Sequence, residues 1–267
     1  MLYDFFDDIV CINLESRKDR HKYAQNIFNK LNIPARFYIV KKHSKGGMYG
    51  CFESHINVIK EAYNNGKNNI LIFEDDILPT KSYNLENIQN AINFMKFNNS
   101  WEIFFLGYSI VNNLPDNIHF FKPLLNNLYL NAYYVGKNII QYKPYNTHSY
   151  CLNRKGMKKI LNNYNKYIGI IHIDVYLSDY LNLNSYCYVP LLFDQKWCIG
   201  SDNINNKDNI FEMMCRKILC FYEKNELFWY ISLIKYFLYY INIYSWVLVI
   251  IYIIIFISII YLSNYYY

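Results

Sequence analysis

No C-x-x-C pair occurs among the seven cysteines, and their number is odd. Most lie beside apolar neighbours, as in Val10-Cys11-Ile12 and Tyr186-Cys187-Tyr188, so buried reduced thiols are expected rather than disulfides. No Lys/Arg run exceeds two or three residues and the net charge is only +6, short of the basic excess a nucleic-acid groove needs. The two densest basic patches are Arg17-Lys18 with Arg20-His21-Lys22, and Lys41-Lys42-His43 with Lys45. Either suits a diphosphate or an anionic lipid surface, and either also reads as a solvated face. There is no G-x-G-x-x-G and no G-x-x-x-x-G-K-[ST], so dinucleotide and P-loop readings lose their main support. Met1-Leu2-Tyr3-Asp4 has an acid where a secretory signal has bases. Asn98-Asn99-Ser100 is the one glycosylation sequon, which agrees with a cytosolic body.

Charge is also missing from one long stretch, Trp246 to Leu262. Residues 227–262 would reach roughly 54 Å as a single helix at about 1.5 Å per residue, more than the roughly 30 Å hydrocarbon core. Two spans with a turn would need about 40 residues or more. The expected division is therefore a catalytic body over 1–222, an interfacial connector over 223–242, a transmembrane helix over 243–262 and a short tail over 263–267. Trp229, Tyr230 and Lys235 suit the headgroup region. Lys207, Arg216, Lys217, Lys224 and Lys235 all precede the span and no basic residue follows it, which places the body on the cytosolic side. The competing reading is a hydrophobic helix buried between copies of the chain.

The body reads as alternating strands and helices. Strands are expected over 8–14, 35–40, 69–73 and 101–106, with Ser16 capping a helix that runs to Pro34. Gly50 leads into a second helix, and a third covers 85–97. A further strand over 149–153 precedes helices over 154–164 and 174–181, whereas 112–146 is polar and resists assignment. This order predicts an α/β domain with a mostly parallel sheet, whose ligands collect at the carboxyl ends of the strands. Asn13, Glu74 and a turn at Gly107 fall at those ends.

The central chemical feature is Glu74-Asp75-Asp76, directly after the apolar Ile70-Leu71-Ile72-Phe73. Adjacent carboxylates at a buried strand end repel one another and call for a cation, with Mg²⁺ or Mn²⁺ the natural partner when phosphates complete the shell. Taken alone, the run also reads as an acidic turn facing water. After the first strand, Asn13, Leu14, Arg17 and Arg20 border a helix N-terminus, a setting that favours an anion such as a nucleotide diphosphate. A basic surface helix is the plainer reading. Ser54 and His55 sit in the second helix, where a histidine is more often packed than functional. Asp174, between Ile170-Ile171-His172-Ile173 and Val175-Tyr176-Leu177, is costly to bury without a purpose.

These segments together resemble glycosyltransferase family 25, which includes lipooligosaccharide and collagen galactosyltransferases. The resemblance is carried by Ile12-Asn13-Leu14 with Arg17, Asp19 and Arg20; by Gly47, Gly50-Cys51 and Ser54-His55; and by Phe73-Glu74-Asp75-Asp76. Ser149-Tyr150 with Gly156 and Leu161, then Asp174-Val175-Tyr176, then Gln195 with Ser201-Asp202 continue it in order. It implies a GT-A-like domain that binds a UDP-sugar through Mn²⁺ or Mg²⁺ held by Glu74, Asp75 and Asp76, Asp76 being the first choice for direct coordination. Asn13, Leu14, Arg17, Arg20, Ser54 and His55 would lie around the donor. It further implies inversion at the anomeric carbon, with Asp174, or second Asp202, as the base. A hexose, galactose or glucose, would pass to a glycan, lipid or protein hydroxyl. The rivals are an inactive membrane-anchored nucleotide-sugar-binding or scaffolding protein, and a phosphoesterase, for which no second set of His/Asp ligands is seen.

Overall fold

The computed structural model describes residues 2–109 and 133–196. The unbroken apolar runs of the body become central strands covered on both faces, where every residue meets a core. β1 (Asp8–Leu14) sends Val10 and Ile12 to one core, and Ile9 and Cys11 to the other. β3 (Asn69–Glu74) divides Ile70 and Ile72 from Leu71 and Phe73 in the same way. On the first face lie α2 (Gly47–Asn64) and α4 (Arg154–Asn163), through Phe52, Ile56, Ile59, Met157 and Ile160. On the second lie α1 (Lys18–Leu31) and α3 (Leu85–Phe97), through Ala24, Phe28, Ile88 and Ile92. Asn84 and Asn153 cap α3 and α4 through their side chains, each accepting from the N–H three residues on.

The remaining strands are β2 (Arg36–Val40), β4 (Ile77–Pro79), β5 (Ile103–Ser109), β6 (Tyr133–Gly136), β7 (Ile139–Gln141), β8 (Tyr145–Asn153), β9 (Ser185–Tyr188) and β10 (Phe193–Gln195). The main sheet has eight strands in the order β2-β1-β3-β8-β5-β9-β7-β6. β8 and β7 run against the other six, so the sheet is mixed but mostly of one direction. β4 and β10 form a separate antiparallel ribbon.

Several expectations are corrected. α1 is capped at Arg17 rather than Ser16, with no side-chain bond, because the Arg17 N–H already turns back to the Leu14 carbonyl. Part of the unassigned 112–146 stretch forms the β6–β7 hairpin at the sheet edge. The helix expected over 174–181 is one α-turn, α5 (Ile173–Val175), followed by a wider π-turn over Tyr176–Tyr180. Gly107 is not a turn but lies inside β5, where a Cβ would stand 2.6 Å from the Phe193 carbonyl oxygen and 2.7 Å from the His148 ring. That close approach lets the β4–β10 ribbon cross the end of the sheet. Cys11, Cys51, Cys151 and Cys187 are free thiols, as expected, whereas Cys198, Cys215 and Cys220 lie outside the described residues. Among the described residues no helix is long and apolar enough to cross a membrane. The expected connector and span, 223–262, lie outside them.

Candidate active site

β3 delivers the three acids to the edge of the sheet where β1 also ends, with Ile12 in register with Glu74. Asp75 and Asp76 turn inward and are almost fully buried. Arg20, itself buried on α1, places one guanidinium nitrogen 2.8 Å from Asp75 Oδ1 and 3.2 Å from Asp76 Oδ2. Asn13 Nδ2 donates to Asp75 Oδ2 at 2.6 Å, and His21 Nδ1 is bonded to Asn13 Oδ1 at 3.2 Å. On the far side Gln195 Nε2 donates to Asp76 Oδ2 at 2.9 Å, and the Lys196 N–H donates to the Asp76 carbonyl at 2.6 Å. The second oxygen, Asp76 Oδ1, is buried and has no hydrogen-bond partner among the described residues.

Glu74 belongs to a different set. Its Oε1 accepts from the Thr147 hydroxyl at 2.7 Å and lies 3.5 Å from His55 Nε2. His55 Nδ1 is in turn hydrogen-bonded to the fully buried Tyr150 hydroxyl at 2.9 Å. The acids are therefore poised in opposite senses. Burial pushes the Glu74 carboxyl up, but His55, Thr147 and the nearby His148 overcome it and hold the group well below the usual carboxylate range. Burial, then the Glu74 charge, push Asp76 up, and Arg20 and Gln195 only partly offset them. Asp75 is raised by burial against the pull of Arg20 and Asn13.

The acids, Arg20 and Gln195 line an open cleft. Its other walls come from Ile12 and Leu14 at the end of β1, from Val40 through His43 after β2, and from Gly47, Gly50, Cys51, Ser54 and His55 on α2. Of the residues expected around a donor, Leu14, Arg20, Ser54 and His55 line this cleft. Asn13 stands behind Asp75, and Arg17 binds Asp19 in a two-pronged bond at 2.9 and 2.8 Å, away from the lining. Ser54 Oγ donates to the Gly50 carbonyl at 2.5 Å. Asp174 is not in the lining either. Its carboxylate accepts from the Asn146 N–H at 3.1 Å and the Val175 N–H at 2.9 Å, at the start of β8. Asp202 and Ser201 lie outside the described residues.

Thr147 and His148 were missed by sequence reasoning. The available signal was a buried polar triplet, Thr147-His148-Ser149, directly before the apolar Tyr150-Cys151-Leu152 in a central strand. Among the described residues no group of three His, Cys, Asp or Glu side chains converges as a ready-made metal site, because Glu74 faces His55 while Asp75 and Asp76 face Arg20. A divalent ion still fits at Asp76, whose buried Oδ1 lacks a partner, given that Mg²⁺-type sites often use one or two carboxylates plus substrate phosphates.

The cleft opens at the carboxyl ends of β1 and β3, where the ligands of such α/β sheets collect. The profile of Glycosyltransferase family 25 (LPS biosynthesis protein) matches residues 38–177, and the chain belongs to that family. No curated protein matches the chain. Among solved structures, A197 from STIV aligns at 11% identity over 67% of this chain and 81% of its own, with a TM-score of 0.39. The inositol-1-phosphate CTP transferase from T. maritima aligns at 17% identity, covering 78% and 75% respectively, with a TM-score of 0.35. UDP-glucose pyrophosphorylase complexed with UDP-glucose aligns at 11% identity, covering 71% and 74%, with a TM-score of 0.37. These scores are too low for any of the three to inform function.

Proposed function

We propose that this glycosyltransferase has a GT-A-like body and moves a hexose, galactose or glucose, from a UDP-sugar to a hydroxyl of a glycan, lipid or protein acceptor, with inversion. The observation that carries the reading is the buried, unpartnered Asp76 Oδ1 at the floor of a cleft that also holds Arg20, Lys41 and Lys42. Such a floor suits a ligand that is anionic overall and brings a cation with it. Bound there, Mn²⁺ or Mg²⁺ would neutralise charge on the departing diphosphate. Arg20 and Gln195 hold the two inner carboxylates in place, and Asn13 orients Asp75 from behind. His55 and Thr147 keep Glu74 ionised beside them. Asp174 serves as the acceptor's base in this reading. It lies in α5 and accepts from the Asn146 N–H, one residue before the Thr147 that holds Glu74, and its two backbone bonds leave further lone pairs on its oxygens.

The charge-free tail supports a membrane anchor at 243–262, with the body in the cytosol. The test is nucleotide release by the detergent-purified chain across a panel of UDP-sugars, with Mn²⁺ and with excess EDTA. Release from one or two UDP-hexoses, silenced by EDTA, is expected. Equal turnover in EDTA would remove the metal role, and no release from any donor would favour an inactive sugar-nucleotide-binding protein.

A further inference from the structure

Most of the large apolar side chains exposed among the described residues stand at one edge of the sheet. Tyr133, Tyr134 and Val135 belong to β6, and Leu85 and Phe97 end α3. The helix lies alongside the β6–β7 hairpin. The Asn90 side chain donates to the Lys137 carbonyl at 3.1 Å, and Lys137 Nζ lies 3.5 Å from Glu86 Oε1. β6 is the outermost of the described strands at this end, and all four of its residues are exposed. Successive side chains on a strand point to opposite faces. Tyr133 and Tyr134 are nonetheless 70% and 65% exposed, so the strand is bare on both faces.

The other end of the sheet differs in kind. There β2 is edged with charge, since Arg36 holds Asp8 and Glu61, each at 2.7 Å. Charged side chains on an outer strand keep it in water. β6, Tyr133-Tyr134-Val135-Gly136, carries no charge at all. Its turn adds Lys137, whose pair with Glu86 is so exposed, at 75% and 81%, that it holds the lysine only weakly. Tyrosine joins an apolar ring to a polar tip, and such side chains collect at the headgroup level of membranes. A second copy of the chain would cover one face of the strand or pair along its edge. A bilayer interface takes both faces at once.

We propose that the β6–β7 hairpin and the ends of α3 form the face that the body lays on the bilayer, with Tyr133 and Tyr134 at headgroup depth and Lys137 against anionic lipid. The inference rests on the reading that the charge-free tail anchors the chain. A few side chains do not hold a body to a membrane alone, because stable attachment takes two signals; the tail holds and this face orients. Insertion stays shallow, since the outer N–H and C=O groups of an edge strand need water. β3 lies five strand spacings from β6, roughly 24 Å, so the cleft stays clear of the lipid and open to a soluble donor.

The test uses the full chain in vesicles of phosphatidylcholine and phosphatidylglycerol. The photoreactive residue p-benzoylphenylalanine replaces Tyr133, Tyr134 or Ile39, one at a time. Ile39 is the control, an exposed apolar side chain on β2 at the far edge. All three positions are exposed, so the replacements should leave the fold intact. On illumination the group bonds to whatever C–H lies against it. Positions 133 and 134 are expected to give several-fold more lipid adduct than position 39. Equal lipid adduct at all three positions, or adducts to protein instead of lipid at 133 and 134, would overturn the face while the anchor stands. A full chain that fails to float with the vesicles would bring down the anchor reading, and the face with it.

Discussion

Gln195 at the end of β10 donates to Asp76 Oδ2 at 2.9 Å, across 119 residues of sequence. Arg20 reaches the same oxygen, and the other oxygen of Asp76 stays buried without a partner among the described residues. Asp76 is thus fixed in place with its charge buried beside Glu74 and Asp75, at a cost to the fold.

That cost has a pH signature. Burial and the Glu74 charge raise the Asp76 carboxyl from its ordinary 3.8 to about 7. A folded value above the unfolded one means that the stability is present below the ordinary value and is lost as pH rises toward 7. Asp76→Asn removes this loss. The metal-free variant should melt several degrees above metal-free wild type at pH 8, and the gap should shrink toward pH 4. Mn²⁺ should raise the melting temperature of wild type at pH 8 but not that of the variant, which should also be inactive. Identical melting of the two metal-free proteins at pH 8 would show that Asp76 is not strained by its charge.

Gly107→Ala tests how the β4–β10 ribbon is seated. A methyl group 2.6 Å from the Phe193 carbonyl oxygen forces β10 or the His148 ring away. Overpacking of this kind costs about 1–3 kcal/mol. Chemical denaturation should report such a loss, and transferase activity should fall further than stability accounts for, because Gln195 moves with β10. An unaltered denaturation midpoint would mean that the ribbon has room to spare.

Asp174→Asn tests the base. Sugar transfer should fall by about 10²–10⁴-fold with UDP affinity nearly unchanged, since the group acts on the acceptor. The amide keeps one oxygen for the Asn146 or Val175 N–H, so the melting temperature should move little. Near-normal turnover would move the role to Asp202 or away from carboxylates.

The tail is tested by fractionation. The full chain should stay with membranes after carbonate washing, while a chain ending at Lys224 should be soluble and active. Protease added to the cytosolic face of sealed vesicles should digest the body. A protected body would reverse the topology, and a full chain released by carbonate would remove the anchor.

What the sequence by itself determined is what depends on near neighbours. Unbroken apolar runs mark β1 over Asp8–Leu14, and 3.6-residue spacing marks α3 over Leu85–Phe97. Three acids after such a run place Glu74, Asp75 and Asp76 at a strand end beside Leu14 and Arg20. Tertiary structure decided which residues meet across the chain. The polar run Thr147-His148-Ser149 gives no local sign that β8 enters antiparallel between β3 and β5 and brings Thr147 to Glu74. Nor does anything near Arg20 announce that it neutralises Asp75 and Asp76 from inside the fold, while Arg17, three residues away, turns to Asp19. Arg20 lies within α1 whereas Arg17 is its non-helical N-cap, and only the packing of α1 against β1 and β3 brings Arg20 to the acids. Periodicity reports how a segment folds on itself, but the partner of a buried charge is set by contacts that close over tens of residues.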